Sequence, residues 1–196
     1  RRRNADGGQT ALRRYVYDAH GRLCKRIEPE EGSTVTEYDG NGNTIWTATG
    51  LELADGASCN RAEAYASGRR VDRAYDVRDR ITTLVFPDGQ GNQSFSYWPD
   101  GLARSVTTRN DLTGNQWATN TYSYNKRRLL KSETLERPGI PVLAIGYGYD
   151  ANGNLASHGL PSGRVLSYTP NALGQPTGVF EQTQGRAIAT GVAYHP

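Results

Sequence analysis

The chain lacks methionine at all of its 196 positions, the first included, and it has only two cysteines. The missing initiator leads us to expect a fragment of a larger protein. Two cysteines allow one bridge at most, which excludes a disulfide-rich scaffold. We expect Cys24 to be a small buried residue in a strand and Cys59 to lie in a loop. Their redox state and the compartment of the protein stay open.

Long hydrophobic runs are also absent, and only 36% of the residues are hydrophobic. No run approaches the roughly 20 apolar residues that a spanning helix requires, and no signal peptide is visible. The mean hydropathy of −0.70 is low for a globule with a thick core. It favours a sheet with one wet face, or a wall one layer thick, in which 12 tyrosines replace aliphatic side chains.

Neither sign of charge dominates, because 23 basic and 20 acidic residues give a net charge of +3. The short basic runs are interspersed with acidic residues, so we interpret them as solvated faces and expect no nucleic-acid partner. Glycine, by contrast, is abundant at 23 residues, well above the usual ~7%. This composition is typical of a β protein with many turns.

One phrase returns along the chain: Tyr, Asp, two variable residues, Gly, one variable residue, Leu. Clear copies run from Tyr17 to Leu23 and from Tyr149 to Leu155. Weaker copies begin at Tyr38, Tyr75, Tyr97, Tyr124 and Tyr168, and a last one opens at Tyr194. The residues that we assign to the repeat motif are Tyr17, Asp18, Gly21, Leu23, Tyr38, Asp39, Gly42, Tyr75, Asp76, Tyr149, Asp150, Gly153 and Leu155. A repeat of this kind indicates units that bury apolar surface only by stacking.

Each phrase predicts a β-hairpin turn. The tyrosine ends one strand, the Asp side chain bonds to backbone N–H groups ahead, and Gly takes the left-handed position. Leu or Ile then begins the return strand, as at Leu23, Ile81 and Leu155. A second turn signal lies between most phrases: Asp6-Gly7-Gly8, Pro29 to Gly32, Pro87-Asp88-Gly89, Pro138-Gly139, Pro161-Ser162-Gly163 and Pro176-Thr177-Gly178. We therefore predict an all-β fold, a curved and spiralling single sheet of antiparallel hairpins.

These motifs resemble the YD-repeat family, also called Rhs repeats, over nearly the whole chain. The family includes bacterial Rhs effectors, the B and C components of insecticidal toxin complexes, and animal teneurins. The resemblance implies a long antiparallel sheet that spirals into a hollow shell. In the bacterial members that shell encloses a cytotoxic C-terminal domain until delivery.

The resemblance defines the function that we expect: a non-enzymatic wall segment of such a shell, spanning residues 1–196. Its partners would be the rest of the shell and the toxic cargo, and its location would be that of a secreted protein or one delivered by a bacterial secretion system. Cut strand edges would favour edge-to-edge self-association. The Asp-Pro self-cleavage motif of the family's C-terminal core is absent from this sequence, so we expect no self-processing activity here.

Several copies depart from the pattern. Asp79 and Arg128 stand where Gly is expected, and Asn125 replaces Asp. Residues 51–67 carry no Tyr phrase and lengthen one spacing to 37 residues, between Tyr38 and Tyr75. We predict a loop insertion there, with a short helical turn at 61–66. Two interpretations stay open: the insertion acts as a latch or partner contact, or it is a disordered surface loop.

Other chemistry finds little support in the sequence. The D-x-N-x-N runs at Asp39 and Asp150 match the start of a calcium loop, but the later Gly and Glu positions do not. The three histidines have no metal-ligand spacing, and no nucleophile elbow is present. We expect no catalytic residue, cofactor, metal or membrane span. The alternative function is carbohydrate or cell-surface binding through exposed aromatics, with glycan contacts at Trp46, Trp98 and Trp117; the competing interpretation is that these rings fill cross-strand pairs.

Overall fold

The computed structural model describes residues 2–3, 10–110 and 116–195. Seventeen strands and one helix follow one another: β1 (Arg2–Arg3), β2 (Thr10–Ala11), β3 (Arg14–Tyr17), β4 (Leu23–Glu28), β5 (Gly32–Tyr38), β6 (Thr44–Leu51), α1 (Arg61–Ala66), β7 (Arg70–Tyr75), β8 (Ile81–Val85), β9 (Asn92–Tyr97), β10 (Ala103–Arg109), β11 (Trp117–Tyr124), β12 (Leu130–Glu136), β13 (Leu143–Tyr149), β14 (Leu155–Gly159), β15 (Val165–Pro170), β16 (Pro176–Glu181) and β17 (Arg186–Ala189). The described part of the chain holds no helix with the length and hydrophobicity that a membrane span requires.

Strands β3 to β17 form one 15-stranded sheet in which the sheet order equals the chain order. Strands β1 and β2 pair separately. Every hairpin is antiparallel where its register is defined, as between β3 and β4 or between β13 and β14. The predicted all-β fold of antiparallel hairpins is thus confirmed, while the predicted curvature stays a prediction. The predicted turn at Asp6-Gly7-Gly8 lies outside the described residues.

The chain divides into two compact units, Arg1–Ser94 with Arg109–Leu112, and Phe95–Thr108 with Thr113–Pro196. The first unit contains the hydrophobic core, a cluster of five buried side chains from β5, β6 and α1: Val35, Trp46, Ala48, Leu51 and Ala64. This core forms where the segment between β6 and β7 folds back over the sheet. It is small because, among the described residues, α1 packs mainly against β5 and β6.

The segment between β6 and β7 contains the predicted short helix, α1 at Arg61–Ala66. Its Ala64 is fully buried, and the Tyr65 ring meets Trp46 edge-on at 6.0 Å between centroids. Arg61 forms ion pairs with Glu37 at 2.7 Å and with Asp18 at 3.1 Å. The segment is therefore ordered and packed against β5 and β6; its description as an insertion into the repeat stays a prediction.

A disulfide joins Cys24 in β4 to Cys59 in the loop before α1, 35 residues away, with 5.4 Å between the Cα atoms. Cys24 is fully buried, as expected. The pairing could not be deduced from the sequence, because it depends on how the 52–60 loop returns to β4. The bond is a second, covalent anchor for the segment that carries α1.

Polar contacts link neighbouring strands in the second unit. Among its described residues no hydrophobic side chain is fully buried. Hydroxyl pairs instead link neighbouring strands, with oxygen–oxygen distances of 2.7 to 2.8 Å: Ser96–Ser105, Thr107–Thr119 and Ser123–Ser132. Such cross-strand pairs stabilise a sheet without a thick core. Because polar pairs replace a thick core here, the sequence needs few hydrophobic residues.

Two turn assignments were wrong. Pro176-Thr177-Gly178 does not form a turn but begins strand β16, where proline is tolerated because the first strand residue need not donate. The copy assigned to Tyr168 turns two residues later, with Asn171 and Gly174 in the Asp and Gly positions. Tyr168 and Pro170 share one face of β15, so the period-2 pattern alone could not separate the two registers.

Candidate functional site at the repeated turns

Eight turns of one geometry connect successive strands among the described residues. We call seven of them the YD turns; the eighth, at 159–165, has Leu160 where those seven have Asp, Asn or Trp. Each YD turn begins at the last residue of one strand and ends at the first residue of the next, six positions on: 17–23, 38–44, 75–81, 97–103, 124–130, 149–155 and 170–176. In the first, the Asp18 N–H donates to the Arg22 carbonyl at 2.8 Å and the Gly21 N–H to the Asp18 carbonyl at 3.0 Å. The same two backbone bonds recur in the other six. The Leu or Ile predicted to start the return strand does so at Leu23, Ile81 and Leu155.

In four of the seven YD turns an Asp side chain at the second position accepts hydrogen bonds from within the turn, and in two others Asn125 and Asn171 do so. In the 149–155 turn, Asp150 Oδ1 accepts the N–H groups of Asn152 and Asn154 at 2.9 and 2.8 Å, and its Oδ2 accepts the Asn154 side-chain amide at 3.0 Å. Asp18 bonds in the same way, with Arg22 Nε as the side-chain donor at 2.9 Å. The residue before Leu therefore takes part in the hydrogen bonds of the turn. Sequence reasoning treated this position as variable and missed that role. Its signal was present: donors recur there as Arg22, Asn43, Arg80, Asn154 and Gln175.

These contacts favour the ionised carboxylates. The Arg80 guanidinium and the backbone N–H groups of Arg78 and Arg80 outweigh the effect of burial and lower the pKa of Asp76 from its ordinary 3.8 to about 2. Bonds from the Asn43 and Asn154 side chains likewise lower the pKa values of Asp39 and Asp150. At Asp18 burial acts in the opposite sense, but the bonds from Arg22 and His20 still lower its pKa. Acid should therefore weaken the turns.

We expect Asp76→Asn to flatten the acid dependence of stability. The folded pKa of Asp76 lies below the unfolded one, so its contribution is complete above pH 3.8 and is lost as the pH falls toward 2. The asparagine would keep the backbone bonds but would not titrate. The free energy of urea unfolding, measured between pH 2 and 5, gives the slope of stability against pH.

Asn125→Asp is the reciprocal variant, because Asn125 accepts the same two N–H bonds, from Arg127 and Leu129. It should make stability depend more steeply on pH. Equal slopes in all three proteins would contradict the role of the carboxylate.

The fifth position of each YD turn lies in the left-handed region, which explains its glycine. Gly21 has φ 74° and Gly153 has φ 92°. Two exceptions adopt the same conformation with a side chain, Asp79 at φ 57° and Arg128 at φ 64°. Asp79 gains contacts in return, because its carboxylate accepts the side-chain amides of two residues in the preceding turn, Asn41 at 2.8 Å and Asn43 at 2.7 Å.

Arg128→Gly is expected to raise the free energy of unfolding by about 1 kcal/mol, because glycine removes the cost of a Cβ at positive φ. The change also removes the exposed bond from Arg128 to the Asp100 carbonyl and the ion pair with the Asp100 carboxylate at 4.0 Å. Exposed pairs of this kind contribute little to stability. Urea unfolding measures the gain. Lys126→Gly in the same turn is the matched control and should destabilise, since Lys126 is not at positive φ. A loss of stability in Arg128→Gly would show that strain at this position is negligible.

The motif tyrosines connect one YD turn to the one before it. The Tyr38 hydroxyl donates to the Leu23 carbonyl at 2.9 Å, and the Tyr75 hydroxyl donates to the Thr44 carbonyl at 3.0 Å. The same bond recurs from Tyr149 to Leu130 at 2.8 Å and from Tyr194 to Pro176 at 2.8 Å. In each case the acceptor is the first residue of the return strand in the preceding turn. The length of the tyrosine ring allows its hydroxyl to reach that carbonyl.

Side chains also connect the turns directly. In the first unit, Arg22 donates to the Asp39 carbonyl at 2.9 Å, and its guanidinium lies 4.9 Å from the Tyr38 ring centroid. In the second unit, Arg127 donates to the Asp150 and Ala151 carbonyls at 3.1 and 3.0 Å. Neighbouring hairpins are thus held by strand ladders, by tyrosine hydroxyls and by turn-to-turn bonds.

The three tryptophans proposed as glycan contacts are not brought together. Trp46 is 6% exposed and belongs to the hydrophobic core, so its ring faces are not available to a sugar. Trp98 is 36% exposed, but its Nε1 donates to the Tyr122 carbonyl and the Arg104 guanidinium lies 5.0 Å from its ring centroid. Trp117 is half-buried at the start of β11. These positions suit rings that stabilise the sheet.

Outside the turns, few titratable side chains of the described residues lie close to one another. Asp39 and Asp150, considered for calcium, direct their oxygens to hydrogen bonds inside their own turns. Within the described residues no set of three or more His, Cys, Asp and Glu side chains is placed to hold a metal. One polar row crosses β12 to β14, where Tyr147 donates to Glu133 at 2.8 Å and stacks on His158 at 5.1 Å. Burial and the Glu133 carboxylate raise the pKa of Tyr147 to about 12.

Comparisons with known proteins agree with this geometry. The family model described as RHS repeat matches residues 149–179, from the end of β13 into β16. No curated protein sequence matches the chain.

Solved structures share the fold over most of the chain. The crystal structure of TcdB2-TccC3-Cdc42 is 15% identical with a TM-score of 0.65, over 94% of this chain and 9% of that chain. The Photorhabdus luminescens Tc holotoxin pore with a mutated TccC3 is 14% identical with a TM-score of 0.64, over 89% and 9%. The crystal structure of TcdB2-TccC3 without its hypervariable C-terminal region is 15% identical with a TM-score of 0.55, over 96% and 11%.

This chain therefore spans about a tenth of the length of the solved chains that it matches. At these identities the likeness concerns the fold. The resemblance drawn from the tyrosine phrase is confirmed: residues 149–179 match the RHS-repeat model, and the chain has the hairpin-sheet fold of a segment of the TcdB2-TccC3 structures.

Proposed function

We propose that the chain is a wall segment of an RHS-repeat shell that encloses a toxic C-terminal cargo before delivery. The observation that carries this proposal is the strand order: fifteen strands follow one another in the sheet as they do in the chain. A sheet built in this way can be extended by further hairpins at both edges without rearrangement. The RHS repeat and the fold shared with TcdB2-TccC3 support the same function.

The contacts of the YD turns fit a wall that resists opening. Each strand pair is held by backbone bonds along the ladder, and the tyrosine hydroxyls add a bond between successive hairpins. Separation of two hairpins would break all of these bonds together. The wall therefore acts mechanically and sterically, and it requires no catalytic residue.

The polar contacts of the second unit fit an enclosing layer better than a globular binding domain. Its strands are linked by hydroxyl pairs, and its described residues include no fully buried hydrophobic side chain. In this proposal polar and weakly apolar residues face the cargo, and such a surface binds an unfolded chain only weakly. A cargo would thus be held back by the wall without tight binding to it. The partners are the remainder of the shell and the cargo, and the protein is secreted or delivered by a bacterial secretion system.

Limited proteolysis of the intact parent protein tests the proposal. The cargo region should survive a protease that digests the same cargo expressed alone, and it should become sensitive once urea opens the sheet. The cleavage products are identified by mass spectrometry. If the cargo in the folded parent is digested as fast as the isolated cargo, while the hairpin segment stays intact, the wall encloses nothing and the proposal fails.

A further inference from the structure

The loop of residues 52–60 contacts strand β4 at two consecutive positions. Cys24 is bonded to Cys59, and the Lys25 ammonium donates to the Ala54 carbonyl at 3.1 Å and to Asn60 Oδ1 at 2.7 Å. Cys24 is the extra residue of a β-bulge, since Val16 pairs with Lys25 and Tyr17 pairs with Leu23. A bulge re-aims the side chains around it, which allows both residues to reach one loop.

Lys25 is a buried cationic residue beneath the 52–60 loop, which is unusual for a lysine. Its side chain is fully buried, and its described partners are the two neutral oxygens of Ala54 and Asn60. A buried ammonium without a carboxylate retains a desolvation cost that two hydrogen bonds offset only in part. Movement of the loop away from β4 would return water to Lys25. The closed loop therefore contains a group that favours opening.

The disulfide holds the loop closed against this movement. A reducing thiolate can approach the bond from one side. Cys24 is fully buried, whereas Cys59 is partly exposed and follows the exposed Ala57 and Ser58. Of the two cysteines, Cys59 is therefore the one that a thiolate in solution can approach more easily. Attack at the Cys59 sulfur would form a mixed disulfide with that residue and release Cys24 as the leaving thiol.

We propose that the Cys24–Cys59 bond is a redox lock on the 52–60 loop, and that its reduction releases the loop from Lys25. A dithiol supplies two electrons and two protons: its first sulfur bonds to Cys59, its second sulfur displaces Cys59, and the products are two protein thiols and the cyclic disulfide of the reductant. Helix α1 stays in place, because Ala64 lies in the core and Arg61 pairs with Asp18 and Glu37. The inference does not depend on the proposed function.

Hydrogen exchange of the purified chain, with and without dithiothreitol, tests the lock. Amides of residues 52–60 should exchange at least about tenfold faster after reduction, since the cross-link contributes more than that factor to closure. Amides of α1 and of β11 to β16 should keep their rates. The Cys24→Ser/Cys59→Ser double variant should behave as the reduced protein does, without reductant.

The matched variant Lys25→Met separates the role of the lysine from that of the disulfide. It keeps the length of the side chain and removes the buried charge, so its loop should stay protected after reduction. Unchanged exchange at 52–60 in reduced wild-type protein would overturn the lock. Acceleration throughout the chain would overturn it as well, since reduction would then unfold the protein globally. If reduced Lys25→Met opens as far as the wild type, the lysine does not drive the release.

Discussion

Replacement of Trp46 by alanine should lower the free energy of unfolding by about 3–5 kcal/mol, the range for large-to-small changes in a packed core. Trp46 is 6% exposed and contacts the buried cluster of β5, β6 and α1. The cluster is the main hydrophobic core of the described residues, so no neighbouring core can compensate. Urea unfolding followed by circular dichroism measures the loss.

Trp98→Ala is the control for that variant. Its ring is 36% exposed, and its hydrogen bond to the Tyr122 carbonyl is a neutral one, so we expect a loss of about 1–2 kcal/mol. Equal losses in the two variants would show that the segment around α1 is not the stabilising centre of the first unit. The pair also bears on carbohydrate binding, because a glycan signal that survives Trp98→Ala could not come from the more exposed of these two rings.

The triple variant Tyr38→Phe/Tyr75→Phe/Tyr149→Phe should lose roughly 3 kcal/mol, about 1 kcal/mol for each hydroxyl bond. The three bonds have different acceptors, Leu23, Thr44 and Leu130, so the losses should add. The rings remain and continue to pack on the sheet. The measurement is again urea unfolding, with the single variants beside the triple one.

Tyr15→Phe is the control for the hydroxyl bonds. Tyr15 is 51% exposed on strand β3, and among the described residues its hydroxyl has no hydrogen bond; its loss should stay within about 0.5 kcal/mol. A triple variant as stable as this control would limit the tyrosines to packing. Under the proposed function, the triple variant should also expose the cargo to protease sooner, which would connect the hydroxyl bonds to the proposed wall.

Much of the YD turn could be predicted because its interactions are local. A side chain such as Asp150 bonds to N–H groups two and four residues ahead, and a left-handed residue follows three positions after it. Seven consecutive residues contain every partner, so the pattern of residue types indicates the structure directly. The same reasoning located the return strands and the helix at 61–66. It placed one copy two residues too early, because Tyr168 and Pro170 lie on the same face of their strand.

The amino-acid sequence by itself thus determined the hairpins, their turns and the polar character of the sheet, since backbone geometry and composition depend on short stretches of chain. Only the tertiary structure decided the partners that lie far apart: Cys24 with Cys59, Lys25 with Ala54 and Asn60, and Trp46 beneath α1. Those contacts depend on the path of the 52–60 loop back to strand β4. No local preference encodes that path, because it results from packing many residues at once.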